Sequence, residues 1–142
     1  MNAELIDKML YEYEDEEEVI EALDLIEDEE TLYEFALHYN WDDGFLIPSK
    51  IIENKFCSLS IAMLLFYGGD GFSFFSELDA VDIDEFEEWE KEWYEFENEL
   101  YHKILNGEFQ IKNTSYKIPL NKVHKYKLKK SGINDIFLND IV

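Results

Sequence analysis

Carboxylates are the residues of this sequence with the most chemistry to offer. It holds 34 Asp and Glu against 12 lysines and no arginine, for a net charge of −22. Fourteen of the acids fall between Glu4 and Glu30 and twelve between Glu77 and Glu99. General acid–base catalysis needs two carboxyl groups in different environments within one cleft. A run of acids along a solvated helix does not supply that. Metal chemistry is poorly served as well. A calcium loop beginning at Asp79 would put Val81 and Ile83 at ligand positions, and Asp84 where a glycine belongs. His38, His102 and His124 are scattered and Cys57 is alone, so no zinc-ligand spacing exists. Cys57 precedes an apolar helical run and reads as packing rather than as a nucleophile. Gly68-Gly69-Asp70-Gly71 follows that run rather than a strand and has no Lys-Ser/Thr after it, so it reads as a turn and not a phosphate loop. No catalytic residue, metal or cofactor is expected.

Two acidic features suit recognition better. Trp41-Asp42-Asp43-Gly44-Phe45 places two acids beside a tryptophan, a residue enriched at binding hot spots. A plainer reading, and the preferred one, has Trp41 and Phe45 packing while Asp42 or Asp43 caps the next helix. The second feature is a row of acids, Glu87, Glu88, Glu90, Glu92, Glu95 and Glu99, on the outside of a long helix. Solubility alone needs a net charge of only roughly 2–8. The excess favours a face that opposes Lys or Arg on a partner. The residues expected to meet that partner are Glu87, Glu88, Glu92, Glu95 and Glu99, with Glu16 and Glu17 from the first acidic block and Trp41, Asp42 and Asp43 from the turn.

Helices must position these groups. Ile6, Met9, Leu10 and Tyr13 fall at helical spacing, as do Val19, Leu23 and Ile26, with a break or an exposed first turn at Glu14 to Glu18. Thr31 and Glu34 form a capping-box pattern that starts a helix with the stripe Leu32, Phe35, Ala36 and Tyr39. Gly44, suited to positive φ, ends the turn after it. Pro48 opens a short helix through Ile51 and Ile52. Ser58 caps a helix from Leu59 to Tyr67 that has no polar face. Asp82 and Glu85 form a second capping pattern before the longest helix. Its stripe is Phe86, Trp89, Trp93, Phe96, Leu100 and Ile104, with both tryptophans expected in the core. Gly107 closes it.

The chain then changes sign. Residues 1–111 carry 32 acids and 5 lysines, −27, whereas residues 112–142 carry 7 lysines and 2 acids, +5. Phe109, Ile111, Tyr116, Ile118 and Leu120 suggest short extended pieces. Val123, Tyr126 and Leu128 allow a helix or a strand. Residues 133–141 suit a terminal segment that docks apolar side chains. The expected fold is mainly α: one domain over 1–142, a compact bundle of about five to six helices, an acidic body over 1–111 and a partly extended, lysine-rich segment over 112–142. At 46% apolar residues it can build a core despite its charge. A lone cysteine, no signal-like N-terminus and no apolar run of ~20 residues point to a cytoplasmic protein off the membrane. Direct nucleic-acid binding is disfavoured, because phosphate contacts need Lys or Arg. The stripe over residues 86–104 would serve a homodimer as well as a core.

Tyr39-Asn40-Trp41-Asp42-Asp43-Gly44-Phe45, Ile47-Pro48, Ser60 to Tyr67 and Asp70-Gly71-Phe72 together resemble a bacterial family catalogued as a domain of unknown function. The match is good over residues 31–72, and the tail Tyr126 to Lys130 is similar as well. By analogy the resemblance implies an immunity protein that neutralises a toxin, and it supplies no catalytic residues. The expectation is therefore an inhibitor that binds a basic toxin or nuclease and occludes its cationic surface. A nucleic-acid mimic acting on a restriction or RNA-guided nuclease is the alternative. A third reading, an enzyme or small-ligand domain, would need His38, Asp42, Asp43 and Asp70 gathered in one pocket.

Overall fold

The computed structural model describes residues 1–78 and 82–142. The calcium-loop reading that begins at Asp79 lies outside the described residues. The chain is built around the helix that has no polar face, Leu59–Gly68. Ser58 caps it by accepting from the Ile61 N–H at 3.3 Å. Leu59, Ile61, Ala62, Met63, Leu65 and Phe66 are all buried, so every side of the helix needs a neighbour.

Eight α-helices are present among the described residues, more than the five to six expected. They are α1 (Ala3–Asp7), α2 (Glu16–Leu23), α3 (Glu29–His38), α4 (Leu46–Glu53), α5 (Leu59–Gly68), α6 (Gly71–Phe74), α7 (Glu88–Leu105) and α8 (Lys122–Lys130). The surplus comes from division of expected segments. A π-helical turn (Lys8–Glu12) and a break at Tyr13 to Asp15 separate α1 from α2, and the glycine run carries the short α6. Helices α3, α6 and α7 pack on α5, α1 and its π turn pack on α3, and α2 packs on α4.

The C-terminal segment closes the last side. Leu59 N–H donates to Gln110 O at 2.8 Å, Ser60 Oγ to Thr114 O, and Tyr67 OH to Phe137 O. Phe137 stacks on Tyr101 with centroids 4.8 Å apart and planes 10° from parallel. Ile133, Phe137, Leu138 and Ile141 are buried, as expected of a docking tail. No strand forms among the described residues; the extended pieces meet only in one antiparallel bridge, Tyr116 to Ile141.

Three helix details differ from expectation. Helix α3 starts a turn early, because Asp28 is its cap and accepts both from Thr31 N–H at 2.9 Å and from Thr31 Oγ at 2.7 Å. Thr31 is then buried and accepts from Asn2 N–H, which ties down the N-terminus. Helix α7 starts a turn late. Glu87 and Glu90 form its capping box, while Asp82 starts a separate 3₁₀ turn at Ile83–Glu85 by accepting from Asp84 N–H. Trp89 therefore sits in the first turn, beyond the body. It is 61% exposed, and its indole N–H donates to Glu87 Oε2 at 2.9 Å. Trp93, one turn deeper, is half-buried and donates to Gly69 O at 2.8 Å.

Gly71 is fixed by contact rather than by φ. A Cβ there would meet the Phe66 ring, and the Phe66 carbonyl oxygen at 2.6 Å. Overpacking of this kind costs about 2–3 kcal/mol. Gly71→Ala is expected to lower the urea-denaturation free energy by that much, and an unchanged midpoint would show that α6 can move off α5.

Candidate functional site

The Trp-Asp-Asp-Gly turn is the pivot of the surface. Helix α3 ends at His38, and Asn40 starts the 3₁₀ turn Trp41–Asp43 by accepting from Asp42 N–H at 3.1 Å. Gly44 closes it at φ +94°, a conformation other L-residues adopt only with strain. Tyr39 OH donates to Gly44 O at 2.7 Å and pins the turn to the helix before it. The Trp41 ring packs edge-on against Tyr39 and Phe96, with centroids 5.5 and 5.9 Å away. Trp41 is thus half-buried and packs, as the plainer reading held. The expected carboxylate cap is absent: α4 has Phe45 at its N-cap and no side-chain cap. Both aspartates stay exposed.

Asp43 lies between two grooves. The outer one, about 460 Å³, is lined by Glu16, Asp43, Glu92, Glu95 and Glu99 with Phe45 and Phe96 at its base, and no lysine lines it. The inner one, also about 460 Å³, has buried Met9, Val19, Phe35, Tyr39 and Ile47 as its floor and Glu14, Asp15, Glu16 and Asp43 along its rim. Glu16 and Asp43 line both, so the grooves form one acidic cleft. Burial, then the negative charges of Asp43 and Glu16, push the Tyr39 hydroxyl well above its usual range. That is what a phenol buried in an apolar floor beneath an acidic rim shows.

The expected site residues separate into two sets. Glu16, Asp43, Glu92, Glu95 and Glu99 come together at the outer groove. Glu17, Asp42, Glu87 and Glu88 are exposed but do not line it, and Glu87 is engaged in capping α7. Glu14 and Asp15 were not expected at a site. They line the inner groove because the break between α1 and α2 carries them past its floor.

Of the residues the enzyme reading needs in one pocket, His38 and Asp43 line the inner groove, whereas Asp42 and Asp70 do not. His38 instead faces Glu34 at 3.6 Å. No cluster of three metal-binding side chains occurs among the described residues. Cys57 is buried, and burial pushes its thiol up to about 12, which keeps it unreactive. No single helix among the described residues is long and apolar enough to cross a membrane.

Beneath the turn lies a group that the sequence reading missed. Glu97 is fully buried, and neither carboxyl oxygen has a hydrogen-bond partner. Its Oε1 lies so close to Gly69 that a Cβ there would come within 2.5 Å of it, while Trp41 lies 3.2 Å from the same point. Burial, then the charge of Asp70, pushes its carboxyl up to about 10. Glu97 is therefore a neutral acid held between the Trp41 turn and the Gly68-Gly69-Asp70 turn. Its signal in the sequence is position: it stands four residues after Trp93 and three before Leu100, on the buried side of α7.

Fold and cleft define a mainly helical, strongly acidic domain whose two glycine-bearing turns meet over one buried acid. Residues 27–105, which hold both turns and Glu97, match the family model described as Domain of unknown function (DUF4274), and the chain belongs to that family. No curated protein and no solved structure matches it.

The proton on Glu97 has a measurable consequence. The unfolded chain releases it above about 4.5, whereas the folded chain keeps it up to about 10. This group's contribution is complete below the lower value and is lost as pH rises toward the upper one. Glu97→Gln removes that loss, since an amide does not ionise. Its stability advantage over the parent is expected to grow between pH 5 and pH 8, by up to about 4 kcal/mol. Parallel stability–pH curves for the two proteins would exclude a buried neutral acid.

Proposed function

We propose that this protein is a non-catalytic inhibitor of the immunity type, which binds a basic toxin or nuclease and covers the Lys and Arg side chains that enzyme uses to hold phosphate. The observation that carries the reading is the outer groove. Five carboxylates from three separate parts of the chain line it without a single cation. Packing alone gives no reason to bring like charges together, because neighbouring carboxylates repel. Opposed to a cationic surface, the same arrangement speeds encounter and selects the partner.

A nucleic-acid mimic is the second reading, and one feature favours it. Glu92, Glu95 and Glu99 follow one face of α7, which at 1.5 Å per residue spaces them about 4.5–6 Å apart along the axis. That is a row of negative charges on a rigid rod, comparable in spacing with a nucleic-acid backbone. Both readings use the same face and differ in the enzyme they meet.

The triple variant Glu92→Lys/Glu95→Lys/Glu99→Lys separates binding from bystander acidity. The native protein, used as bait in a lysate of its own host, is expected to retain a basic enzyme whose capture falls at least about tenfold in the variant and weakens steeply with salt. The identity of the captured enzyme distinguishes a toxin from a restriction or guided nuclease. Capture that is equal for both baits, or indifferent to salt, excludes this groove as the binding face.

A further inference from the structure

Among the described residues, helix α8 is the one strongly basic helix of this acidic molecule. Its inner side, His124, Lys125 and Leu128, is partly buried, with Leu128 packed against the core. Its outer side carries Lys122, Lys127, Lys129 and Lys130 around two apolar side chains, Val123 and Tyr126, which are 58% and 67% exposed. Val123 and Tyr126 lie three residues apart and so stand together on the helix surface. None of the α8 lysines forms an ion pair among the described residues. The helix faces solvent as an apolar pair ringed by cations.

The inner groove has the opposite design. Its floor is apolar, with Met9, Phe35 and Ile47 buried, and its exposed rim carries Glu14, Asp15, Glu16 and Asp43 beside Tyr11, His38 and Asn40. At about 460 Å³ it falls in the size range of ligand pockets, roughly 300–1,000 Å³, and has room for an aromatic side chain. A tyrosine that reaches the floor would leave its flanking lysines level with the rim.

We infer that the inner groove receives α8 of a second copy of this chain, with Tyr126 entering the groove and the lysines around it meeting Glu14, Asp15, Glu16 and Asp43. The occupant is chosen by complementarity of both kinds at once. An apolar pair with a cationic ring meets an apolar floor with an anionic rim. Each copy carries both surfaces, so two copies that exchange helices close a dimer, and a one-way contact builds a chain.

Net charge opposes this contact and gives it a signature. Two bodies of −22 repel at low ionic strength. Near 0.15 M salt the screening length is about 8 Å, so distant charges no longer act while the short contacts of the groove survive. Association is expected to pass through a maximum with salt and then fall.

Sedimentation velocity over a concentration and salt series tests the inference. The native protein is expected to show concentration-dependent association, and Tyr126→Asp, an exposed substitution that spares the core, to weaken it at least tenfold. Asp43→Lys/Glu14→Lys should do the same from the other side. Mixing the two variants should restore a 1:1 species, because the mixture contains one intact groove and one intact helix. A native protein that stays monomeric throughout overturns the inference, as does a Tyr126→Asp protein that associates like the parent. Capture of a basic enzyme by the Tyr126→Asp bait reads the outer groove separately, so failure of self-association and failure of the inhibitor reading are distinguishable.

Discussion

A helix with no polar face has to be enclosed, and the enclosure of α5 organises the rest of the chain. Leu59, Ile61, Ala62, Met63, Leu65 and Phe66 leave no side that water could cover without cost. Helices α3, α6 and α7 supply three walls, and the irregular C-terminal segment supplies the last. An irregular wall brings unpaired backbone groups into the interior. Leu59 N–H and the Ser60 and Tyr67 hydroxyls on α5 satisfy carbonyls of that segment. Glu29 of α3 accepts from the N–H groups of Asn113 and Thr114 at 3.1 and 3.0 Å. Burial raises the pKa of that carboxyl, but hydrogen bonds involving Ser58, Thr114 and Asn113 outweigh burial and leave it lowered. An acid from the charged block thus becomes a structural clasp.

What the sequence made legible was what depends on local periodicity. The stripes of α3, α4 and α5 are buried as their spacing implied, and Gly44 and Gly107 hold the positive φ expected at chain reversals. Helix starts were less legible because caps were shared beyond the local pattern. Thr31 looked like a cap, yet it is the hydroxyl that links Asp28 to the N-terminal Asn2. Trp89 matched the apolar stripe, yet the helix begins only one residue before it, where no body remains to cover a side chain. The site shows the same division. The row of Glu92, Glu95 and Glu99 could be read from α7 alone. That Glu16 and Asp43 complete it depends on how α2 and the Trp41 turn pass across that helix, which no local pattern encodes.

Glu97 shows how far a local pattern can mislead. Twelve acids lie between Glu77 and Glu99, and composition alone makes one more glutamate on α7 look like part of the charged face. Its position places it inward instead. There it forgoes hydrogen bonds, an arrangement that costs about 1–3 kcal/mol for each unsatisfied buried group. Gly69 accommodates it by having no side chain, and Trp41 lies against the same glycine. The two turns are therefore joined by a contact that weakens the fold locally. A structure keeps a destabilising group where something other than stability is served.

Charge on this molecule is sorted rather than averaged. The basic segment could have folded back to neutralise the acidic body, which would have relieved self-repulsion. It does so hardly at all: the ion pairs among the described residues join Lys8, His38, Lys50 and Lys103 to acids close by in sequence, and none reaches from α8 to the cleft. Exposed pairs of that sort contribute little, about 0–1 kcal/mol, and leave the two fields intact. No lysine of α8 pairs with an acid of the cleft, so neither charge cancels the other by direct contact. The net charge of −22 is thus a poor description of either surface. The fold presents an acidic cleft and a basic helix, each with its own sign of charge.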